Sequence, residues 1–282
     1  MTERFLVAIV LSTAIATASA QDDQAERGRY LIHAGGCISC HTEDTDDAVP
    51  LAGGRAMETP FGTFYTPNIT PDGETGIGGW SDDDFVAAFW EGVSPEGDHY
   101  FPAFPYTSYT GVSREDLLAM KVYLDSLDPV SKQSPDHDLA WYMSTRLAAG
   151  TWKALNFDAG RFEPDPGKDE QWNRGAYLVR HLGHCGECHT PRNWLGIPDS
   201  SREYAGAPLV EGEASAIDAE ALEGWSEPDF AFFLFLGLKP DDEYVGGEME
   251  PVIEYNTGPL TEEDRLALAA FFLRGQGQPG SN

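Results

Sequence analysis

Two five-residue stretches decide the fold of this chain: Cys37–His41, with the sequence CISCH, and Cys185–His189, with the sequence CGECH. Each has the Cys-x-x-Cys-His pattern of c-type haem attachment, in which two thiols bond to the haem vinyl groups and the adjoining imidazole binds iron. Two intervening residues place the thiols one helical turn apart, so both reach one edge of the porphyrin. The motifs use all four cysteines of the chain, which leaves none for a disulfide or a nucleophile.

Other uses of a Cys-x-x-Cys pair fit this chain less well. A zinc ribbon keeps its pairs within about twenty residues of each other, whereas these pairs lie in opposite halves of the chain. A thioredoxin-like dithiol needs a strand-helix setting and has no use for two copies that are each followed by His. The sequence therefore predicts two covalently bound haem c groups, with Cys37, Cys40, Cys185 and Cys188 as attachment thiols and His41 and His189 as iron ligands.

The first twenty residues are typical of a secretory signal peptide. Arg4 precedes an apolar run from Phe5 to Ala18, and the small residues 18–20 offer a cleavage site before Gln21. The run is short for a transmembrane helix, and an uncleaved anchor is the alternative. No later apolar stretch approaches membrane-spanning length. We therefore expect a soluble, exported, periplasmic protein without a transmembrane segment once residues 1–20 are removed, in the compartment where bacterial c-type haems are attached.

The chain is strongly acidic, with a formal net charge of −29 from 47 acidic and 18 basic residues. This charge excludes nucleic acid as a partner, because phosphates need Lys and Arg to neutralise them. The acidic surface either steers a basic redox partner, which would make association depend on salt, or serves general solubility. The charge alone does not decide between these two interpretations.

Three pairs of stretches recur in the same order at nearly the same spacing, which indicates duplication of a whole domain. The pairs are 27–32 with 174–179, 79–85 with 224–230, and 112–117 with 260–265. The repeat predicts a signal peptide (1–20), a first domain (21–128), a linker with one helix (129–171) and a second domain (172–282).

Each half is predicted to contain the same helices. A first helix covers residues 25–34 or 173–182, a middle helix follows Trp80 with Ser81 as its N-cap, and a last helix begins at Ser113 or Thr261. Between them the chain is rich in Gly and Pro, notably over residues 50–79. Such loops do not fill a core alone, so we expect them to wrap the haems, and the predicted fold class is mostly α.

The linker shows its own helical pattern. Apolar residues recur at spacings of three and four, a pattern that predicts one buried helix face with Asp138 as the N-cap. We expect this helix to pack between or across the two haem domains. The residues of the predicted face are Trp141, Thr145, Ala148, Trp152 and Leu155.

An electron-transfer haem often takes methionine as its second axial ligand, because the soft sulfur raises the reduction potential. Met249 is the best candidate, since it lies in a polar stretch without a helical pattern, residues 246–251, where a core methionine is not expected. Met120, in contrast, lies inside the pattern of the last helix of the first half. We predict Met249 as the distal ligand of the second haem.

For the distal ligand of the first haem the sequence leaves three possibilities. Aligning the halves through Pro102 and Pro251 places Tyr100, beside His99, where Met249 stands. His99 is therefore a candidate, and Met57 is another because it lies in the long loop region. An open or water-bound iron is the third possibility.

At these residues the chain resembles the dihaem cytochrome c family related to the cytochrome c subunits of membrane-associated alcohol, aldehyde and gluconate dehydrogenases. The resemblance implies two tandem class I cytochrome c domains that carry electrons from a dehydrogenase towards the respiratory chain, with a cytochrome or oxidase as acceptor. Many relatives have methionine where this chain has Phe104, and some have another at Val112, so the resemblance does not extend to His/Met ligation of the first haem. The resembling stretches are 57–63, 68–72, 76–81, 102–106 and 173–192.

The sequence thus favours an electron-transfer protein or subunit over a self-contained enzyme. The alternative is a dihaem oxidoreductase, similar to a thiosulfate dehydrogenase or a peroxidase, in which the first haem is reactive because its methionine is missing. A haem-based ligand-binding module is a third interpretation. Two low-spin haems in the spectrum of the purified protein would favour electron transfer, and a high-spin haem that binds cyanide would favour the others.

Overall fold

The computed structural model describes residues 21–275. The predicted signal peptide, residues 1–20, and the end of the polar tail, residues 276–282, lie outside the described residues. Helices dominate the described chain, so the predicted helical fold class is confirmed. The longer helices are α1 (residues 21–34), α3 (Asp82–Glu91), α5 (Arg114–Asp125), α6 (Arg146–Asn156), α7 (Glu170–Tyr177), α9 (Glu227–Leu236) and α11 (Glu262–Leu273).

Four short helices complete the set, together with two π-helical segments and one 3-10 turn. The short helices are α2 (Cys37–His41), α4 (Tyr106–Tyr109), α8 (Gly186–His189) and α10 (Met249–Val252). The π-helical segments are Leu178–Leu182 and Ile253–Thr257, and the 3-10 turn is Ser200–Arg202. Among residues 21–275, no helix combines the length and apolar character needed to cross a membrane.

The predicted helix starts at Ser81, Ser113 and Thr261 are confirmed, whereas α7 begins at Glu170, three residues before its predicted start at residue 173. The Ser81 hydroxyl accepts the Asp84 amide, and the Asp84 carboxylate accepts the Ser81 amide, which forms a capping box at the start of α3. Ser113 and Thr261 cap α5 and α11 through the same hydroxyl-to-amide bond. Local side-chain hydrogen bonds and acidic first turns therefore set these boundaries.

In both halves the first and last helices cross at a glycine. A Cβ atom on Gly28 of α1 would lie 1.9 Å from the Ala119 carbonyl oxygen of α5. A Cβ atom on Gly175 of α7 would lie 2.0 Å from the Ala267 carbonyl oxygen of α11. Only glycine permits backbones to approach this closely, so the duplicated sequence produces a duplicated helix crossing.

The two crossings join through a reciprocal pair of buried carboxylates. Asp116 accepts hydrogen bonds from Arg27 of its own half, at 2.6 and 3.0 Å, and from the Tyr177 hydroxyl of the other half, at 2.6 Å. Asp264 likewise accepts from its own Arg174 and, at 2.6 Å, from the Tyr30 hydroxyl of the first half. One apolar core runs through both halves, with these polar pairs inside it.

Small sheets were not predicted. The loop region of residues 50–79 contains a hairpin of β1 (Ala56–Thr59) and β2 (Gly62–Tyr65), and β3 (Asp138–Leu139) pairs with β2. Gly62 has a φ of 119°, and a Cβ atom there would lie 2.3 Å from the Asp138 carbonyl oxygen. Strands β4 (Ala207–Pro208) and β5 (Glu213–Ala214) form a second hairpin.

The prediction for the linker helix was wrong in its start and in its buried face. Helix α6 begins at Arg146 with Thr145 as the N-cap, because Asp138 is held in β3 instead. The side chains of Trp141 and Leu155 are 84% and 78% exposed, and Ala149 is the buried residue of the helix.

Helix α6 nevertheless contacts both halves. The Trp152 indole N–H donates to the Leu195 carbonyl oxygen of the second half at 3.0 Å. The Lys153 ammonium donates to the Glu91 carbonyl oxygen of the first half. The helix therefore bridges the halves through polar contacts, one from Trp152 of the predicted face and one from Lys153 outside it.

Candidate haem sites

The first Cys-x-x-Cys-His motif forms the single helical turn α2. Gly36, with a φ of 70°, precedes this turn and lets the chain reverse direction after α1. Cys37 is buried, and Cys40 and His41 lie on the same turn. The predicted local geometry, with two thiols and an imidazole on one turn, is therefore present.

The second motif also forms a short helical turn, but the residues that precede it differ from those before the first motif. Helix α8 carries the Cys188 thiol and the His189 imidazole, and Cys185 stands at its N-cap. His184 takes the place of Gly36 and adopts a φ of 40°, which is uncommon for a residue with a side chain. Cys185 also stands one residue further from Arg174 than Cys37 stands from Arg27.

The extra residue of the second half is absorbed as a π-helix. Helix α7 continues through Leu178–Leu182 with π-type hydrogen bonds, for example from the Gly183 amide to the Leu178 carbonyl oxygen at 2.6 Å. A single inserted residue in a helix commonly produces such a bulge, often at functional sites. The insertion leaves the helix crossing at Gly175 unchanged and alters only the approach to the motif.

All four cysteines lie among the described residues, and none is joined to another by a disulfide. Burial raises the pKa of Cys37 and of Cys185 to about 12. A redox dithiol depends on a thiolate with a lowered pKa, so these environments disfavour the thioredoxin-like alternative.

Each motif histidine is oriented by a backbone carbonyl. Nδ1 of His41 lies 2.8 Å from the Pro67 carbonyl oxygen, and Nδ1 of His189 lies 2.7 Å from the Ser215 carbonyl oxygen. Because a carbonyl only accepts, each Nδ1 carries the hydrogen, and Nε2 keeps its lone pair for a metal. Burial lowers the pKa of both imidazoles, although the carbonyls partly oppose the shift. Neutral imidazole is the form that binds iron, so this donor set fits a haem.

A glycine amide donates a hydrogen bond to the backbone carbonyl of each motif histidine. These glycines were not predicted from the sequence. The Gly53 amide donates to the His41 carbonyl oxygen at 2.8 Å, and the Gly206 amide donates to the His189 carbonyl oxygen at 2.9 Å. Both glycines have positive φ, 69° and 78°. A Cβ atom on Gly53 would lie 2.3 Å from the Pro67 carbonyl carbon. The two glycines follow their histidines at different spacings, so comparing the repeats does not pair them.

The Pro67 carbonyl is held in place by its neighbour Asn68. The Asn68 residue is 2% exposed, and its side-chain amide donates to the Val130 carbonyl oxygen at 2.7 Å and accepts the Thr70 amide at 2.9 Å. These bonds fix the segment that orients His41. Asn68 is therefore a buried support of the first site.

Met249 does not lie in irregular chain as predicted. It is half-buried and is the first residue of the short helix α10, which runs directly into the π-helical segment Ile253–Thr257. The preceding residue, Glu248, pairs with Arg55 of the first half at 3.7 Å. Met249 as a haem ligand stays a prediction.

The two candidate ligands of the first haem both lie near α6. Met57 lies in β1 and packs on a small cluster separate from the main core, formed by Phe64, Phe101 and Ala149. The His99 imidazole lies beside Gly150, where a Cβ atom would stand 2.5 Å from its Cδ2, and its Nδ1 is 3.5 Å from the Lys153 ammonium.

Backbone hydrogen bonds give the register between the two halves after the middle helices. Gly92 and Gly237 end α3 and α9 with left-handed backbones. The Tyr100 amide donates to the Gly92 carbonyl oxygen at 2.9 Å, and the Val245 amide donates to the Gly237 carbonyl oxygen at 2.8 Å. Tyr100 is therefore equivalent to Val245.

This register corrects the alignment through Pro102 and Pro251. Four residues beyond the equivalent pair of Tyr100 and Val245 stand Phe104 and Met249. The extra residues of the second half fall later, where α10 and its π-helical continuation replace the single short helix α4. Phe104, not Tyr100, is the counterpart of Met249.

Each motif contacts the opposite half through its central residue. The Ser39 hydroxyl donates to the Asn256 side-chain oxygen at 3.1 Å, and the Ser108 hydroxyl donates to the Glu187 carboxylate at 2.9 Å. Cys188 is exposed, but neighbouring protein removes enough solvent to raise its pKa to about 11, and the charges of Glu187 and Cys40 add to the shift. A Cβ atom on Gly36, just before the first motif, would lie 3.6 Å from Nε2 of His184, just before the second motif, so the entries of the two motifs are close together.

Comparison with known proteins supports one family. The chain is 44% identical over 256 residues to a "Diheme cytochrome c-type" protein of Cereibacter sphaeroides, and the match covers 89% of this chain and 86% of that protein. None of the protein-family models compared with the sequence matches it.

Two further relatives are longer than this chain. A nicotinate dehydrogenase subunit of Pseudomonas putida is 40% identical over 90% of the chain, which spans 21% of that protein. The gluconate 2-dehydrogenase cytochrome c subunit of Pantoea cypripedii is 38% identical over 94% of the chain, which spans 64% of that protein. Cytochrome subunits of fructose and alcohol dehydrogenases also match, at 33–36% identity. The chain belongs to the family of dihaem c-type cytochromes and dehydrogenase cytochrome c subunits.

Proposed function

We propose that this chain is a periplasmic dihaem cytochrome c that takes electrons from a dehydrogenase and passes them towards the respiratory chain. The main support for this proposal is a helical turn that occurs once in each half. Each turn presents two thiols and a neutral imidazole whose orientation is fixed by a backbone carbonyl. In this proposal Cys37, Cys40, Cys185 and Cys188 attach the haems, His41 and His189 bind the irons, and Met249 is the distal ligand of the second haem.

The chain's own groups would set the properties of the two sites. A bound haem supplies reversible one-electron chemistry. The Pro67 and Ser215 carbonyls hold His41 and His189 in one orientation and raise the basicity of Nε2. Because the surrounding core is buried, little solvent would reach a bound haem. This low exposure raises the free-energy cost of changing the charge of the haem.

We also propose that the chain consists of two tandem class I cytochrome c domains, residues 21–128 and 172–282, joined by a linker, residues 129–171. The duplicated glycine crossings and the reciprocal tyrosine–aspartate bonds support this division. The loops between the helices would wrap the haems and complete each domain's core.

The closeness of the two motifs supports electron transfer between the two haems of one chain. The polar bridges of Ser39 with Asn256 and of Ser108 with Glu187 hold the motifs in a fixed relation. One haem would then receive the electron from the donor, and the other would deliver it to the acceptor.

The names of the relatives support a dehydrogenase as donor, since several are cytochrome subunits of dehydrogenases. The acceptor would be another cytochrome or an oxidase. The formal net charge of −29 favours basic docking surfaces on these partners, so association should weaken as salt increases.

The proposal is tested on protein matured in a periplasm that attaches haem. Its pyridine haemochrome spectrum should report two haem c groups per chain, and a redox titration should resolve two one-electron steps. Met249→Ala should lower the potential of one haem only, because the soft sulfur ligand is lost. Protein with no haemochrome signal, or with four free thiols, would overturn the proposal.

A second candidate is a dihaem oxidoreductase of the thiosulfate dehydrogenase or peroxidase kind. The specific observation in its favour is Phe104 at the position equivalent to Met249. Steady-state turnover of thiosulfate or hydrogen peroxide separates the candidates, since an electron carrier should exchange electrons with partner proteins without consuming either compound.

A further inference from the structure

We infer that Phe104 replaces the distal methionine of the first haem, leaving that haem open to a small uncharged ligand such as carbon monoxide or nitric oxide. This inference rests on the proposed function, because it assumes a haem at Cys37–His41. It adds a ligand site in the first half that the second half lacks.

The first support for this inference is the register between the two halves. The paired hydrogen bonds after α3 and α9 make Phe104 the counterpart of Met249. A phenylalanine side chain has no lone pair to give to iron. If Met249 is the distal ligand in the second half, the first half has no donor at the equivalent position.

The surroundings of Phe104 connect it to the first motif. Its ring contacts Tyr109, with ring centroids 5.5 Å apart, and the Tyr109 hydroxyl donates to the Gly35 carbonyl oxygen at 2.8 Å. Gly35 stands two residues before Cys37, and the charges of Cys37 and Cys40 contribute, after burial, to raising the pKa of Tyr109. The aromatic cluster that contains Phe104 therefore borders the Cys37–His41 site.

The Phe104 ring also contacts two further aromatic rings. Phe89 contacts Phe104 edge to face, at 5.2 Å and 87°, and Tyr100 contacts it at 5.6 Å and 78°. Burial raises the pKa of the Tyr100 phenol, so it is protonated at neutral pH and is a weak metal ligand. A haem face bordered by such rings would favour a neutral diatomic molecule over a hydrated anion.

The other candidate donors of the first half are engaged elsewhere. Met57 packs in the cluster with Phe64 and Phe101, and His99 lies against α6. Met120 is 0% exposed in the core between the helices, on the inner face of α5. None of these contacts presents a sulfur or a free imidazole beside Phe104.

Carbon monoxide titration of the reduced holoprotein tests the inference. One carbon monoxide should bind per chain, that is, to one of the two haems, and the oxidised protein should show one high-spin and one low-spin haem by electron paramagnetic resonance. Phe104→Met should abolish carbon monoxide binding and convert the high-spin signal to low spin, because it supplies the missing sulfur.

Two variants complete the test. Phe101→Met places a methionine three residues earlier, in the separate cluster with Phe64, and should leave carbon monoxide binding unchanged. Met249→Phe should raise the stoichiometry to two per chain. If Phe104→Met does not fold, the wild-type stoichiometry and Met249→Phe still decide the question.

The outcomes separate this inference from the proposed function. Haem content is measured on every preparation by pyridine haemochrome. Two haems per chain that are both low spin and bind no carbon monoxide would overturn the inference and leave the proposed function standing. Fewer than two haems per wild-type chain would overturn the proposed function itself.

Discussion

In the first half of the chain α1 crosses α5 at Gly28, and in the second half α7 crosses α11 at Gly175 in nearly the same geometry. The halves differ at the position after the middle helix, where the first has Phe104 and the second has Met249. The helix crossing is built from backbone contact, which tolerates no side chain, whereas the loop position does not enter the crossing. Duplication can therefore preserve a scaffold while the two copies differ at a position that we propose as an iron ligand in one of them.

The second half also carries the two π-helical segments, and each reaches into the first half. Asn256, in the later segment, accepts the Ser39 hydroxyl. His184, just beyond the earlier segment, sets its ring against that of Tyr109, at 5.3 Å and 88°. The insertions thus make the contact between the halves unequal, although the tyrosine–aspartate pairs are symmetric.

The largest expected effect separates the halves by haem content. Replacing both thiols of one motif, Cys37→Ala with Cys40→Ala or Cys185→Ala with Cys188→Ala, should reduce haem from two to one per chain, because each motif attaches its own haem. Pyridine haemochrome and intact mass measure the result. Loss of both haems from either double variant would show that the halves do not bind haem independently.

Replacing the glycine at either helix crossing should destabilise the protein by a similar amount. Gly28→Ala and Gly175→Ala should each lower the free energy of unfolding by about 2–3 kcal/mol, since the new Cβ collides with backbone that has to move. Urea unfolding measures the change, and Gly73→Ala, where a Cβ meets nothing within 4 Å, is the matched control. A large effect in only one half would break the structural equivalence.

The reciprocal hydroxyl bonds should also contribute equally. Tyr30→Phe and Tyr177→Phe should each lower the free energy of unfolding by about 2 kcal/mol, because each removes a hydrogen bond to a buried carboxylate. Tyr142→Phe, at a residue that is 54% exposed, serves as control in the same urea measurement. If the double variant loses much more than the sum, the two bonds are coupled through the contact between the halves.

A smaller effect concerns acid stability. Burial raises the pKa of Asp264, but the Arg174 hydrogen bond and charge, with the Tyr30 hydroxyl, outweigh it and leave the pKa below its usual 3.8. The stabilisation is present above the unfolded-state pKa and is lost as the pH falls through the folded-state pKa. Asp264→Asn should therefore flatten the fall in unfolding free energy below about pH 4. An unchanged slope would show that other groups dominate acid unfolding.

Much of the fold was predictable because its signals are local. Ser81, Ser113 and Thr261 each hydrogen-bond an amide three residues later, so the helix starts are encoded in short stretches. The thiol and imidazole turns are equally local. The start of the linker helix was predicted wrongly because Asp138 lies in β3, which pairs with the distant strand β2.

Of the residues that build the candidate site, only those of the two motifs carry a recognisable sequence signal. Pro67 and Ser215, whose carbonyls orient the imidazoles, carry no recognisable signal, because a backbone acceptor is independent of side-chain type. The counterpart of Met249 was misassigned because the alignment matched two prolines that are not equivalent. Continuing the pairing of 79–85 with 224–230 already places Phe104 opposite Met249, and the backbone hydrogen bonds agree with that register.

The amino-acid sequence alone determines the attachment motifs, the duplication and the helix starts, since each depends on residues within a few positions of one another. Long-range contacts decide which carbonyl orients each histidine and how Asp116 and Asp264 join the halves. These features arise from backbone approach and packing between segments far apart in the chain, which no local pattern encodes.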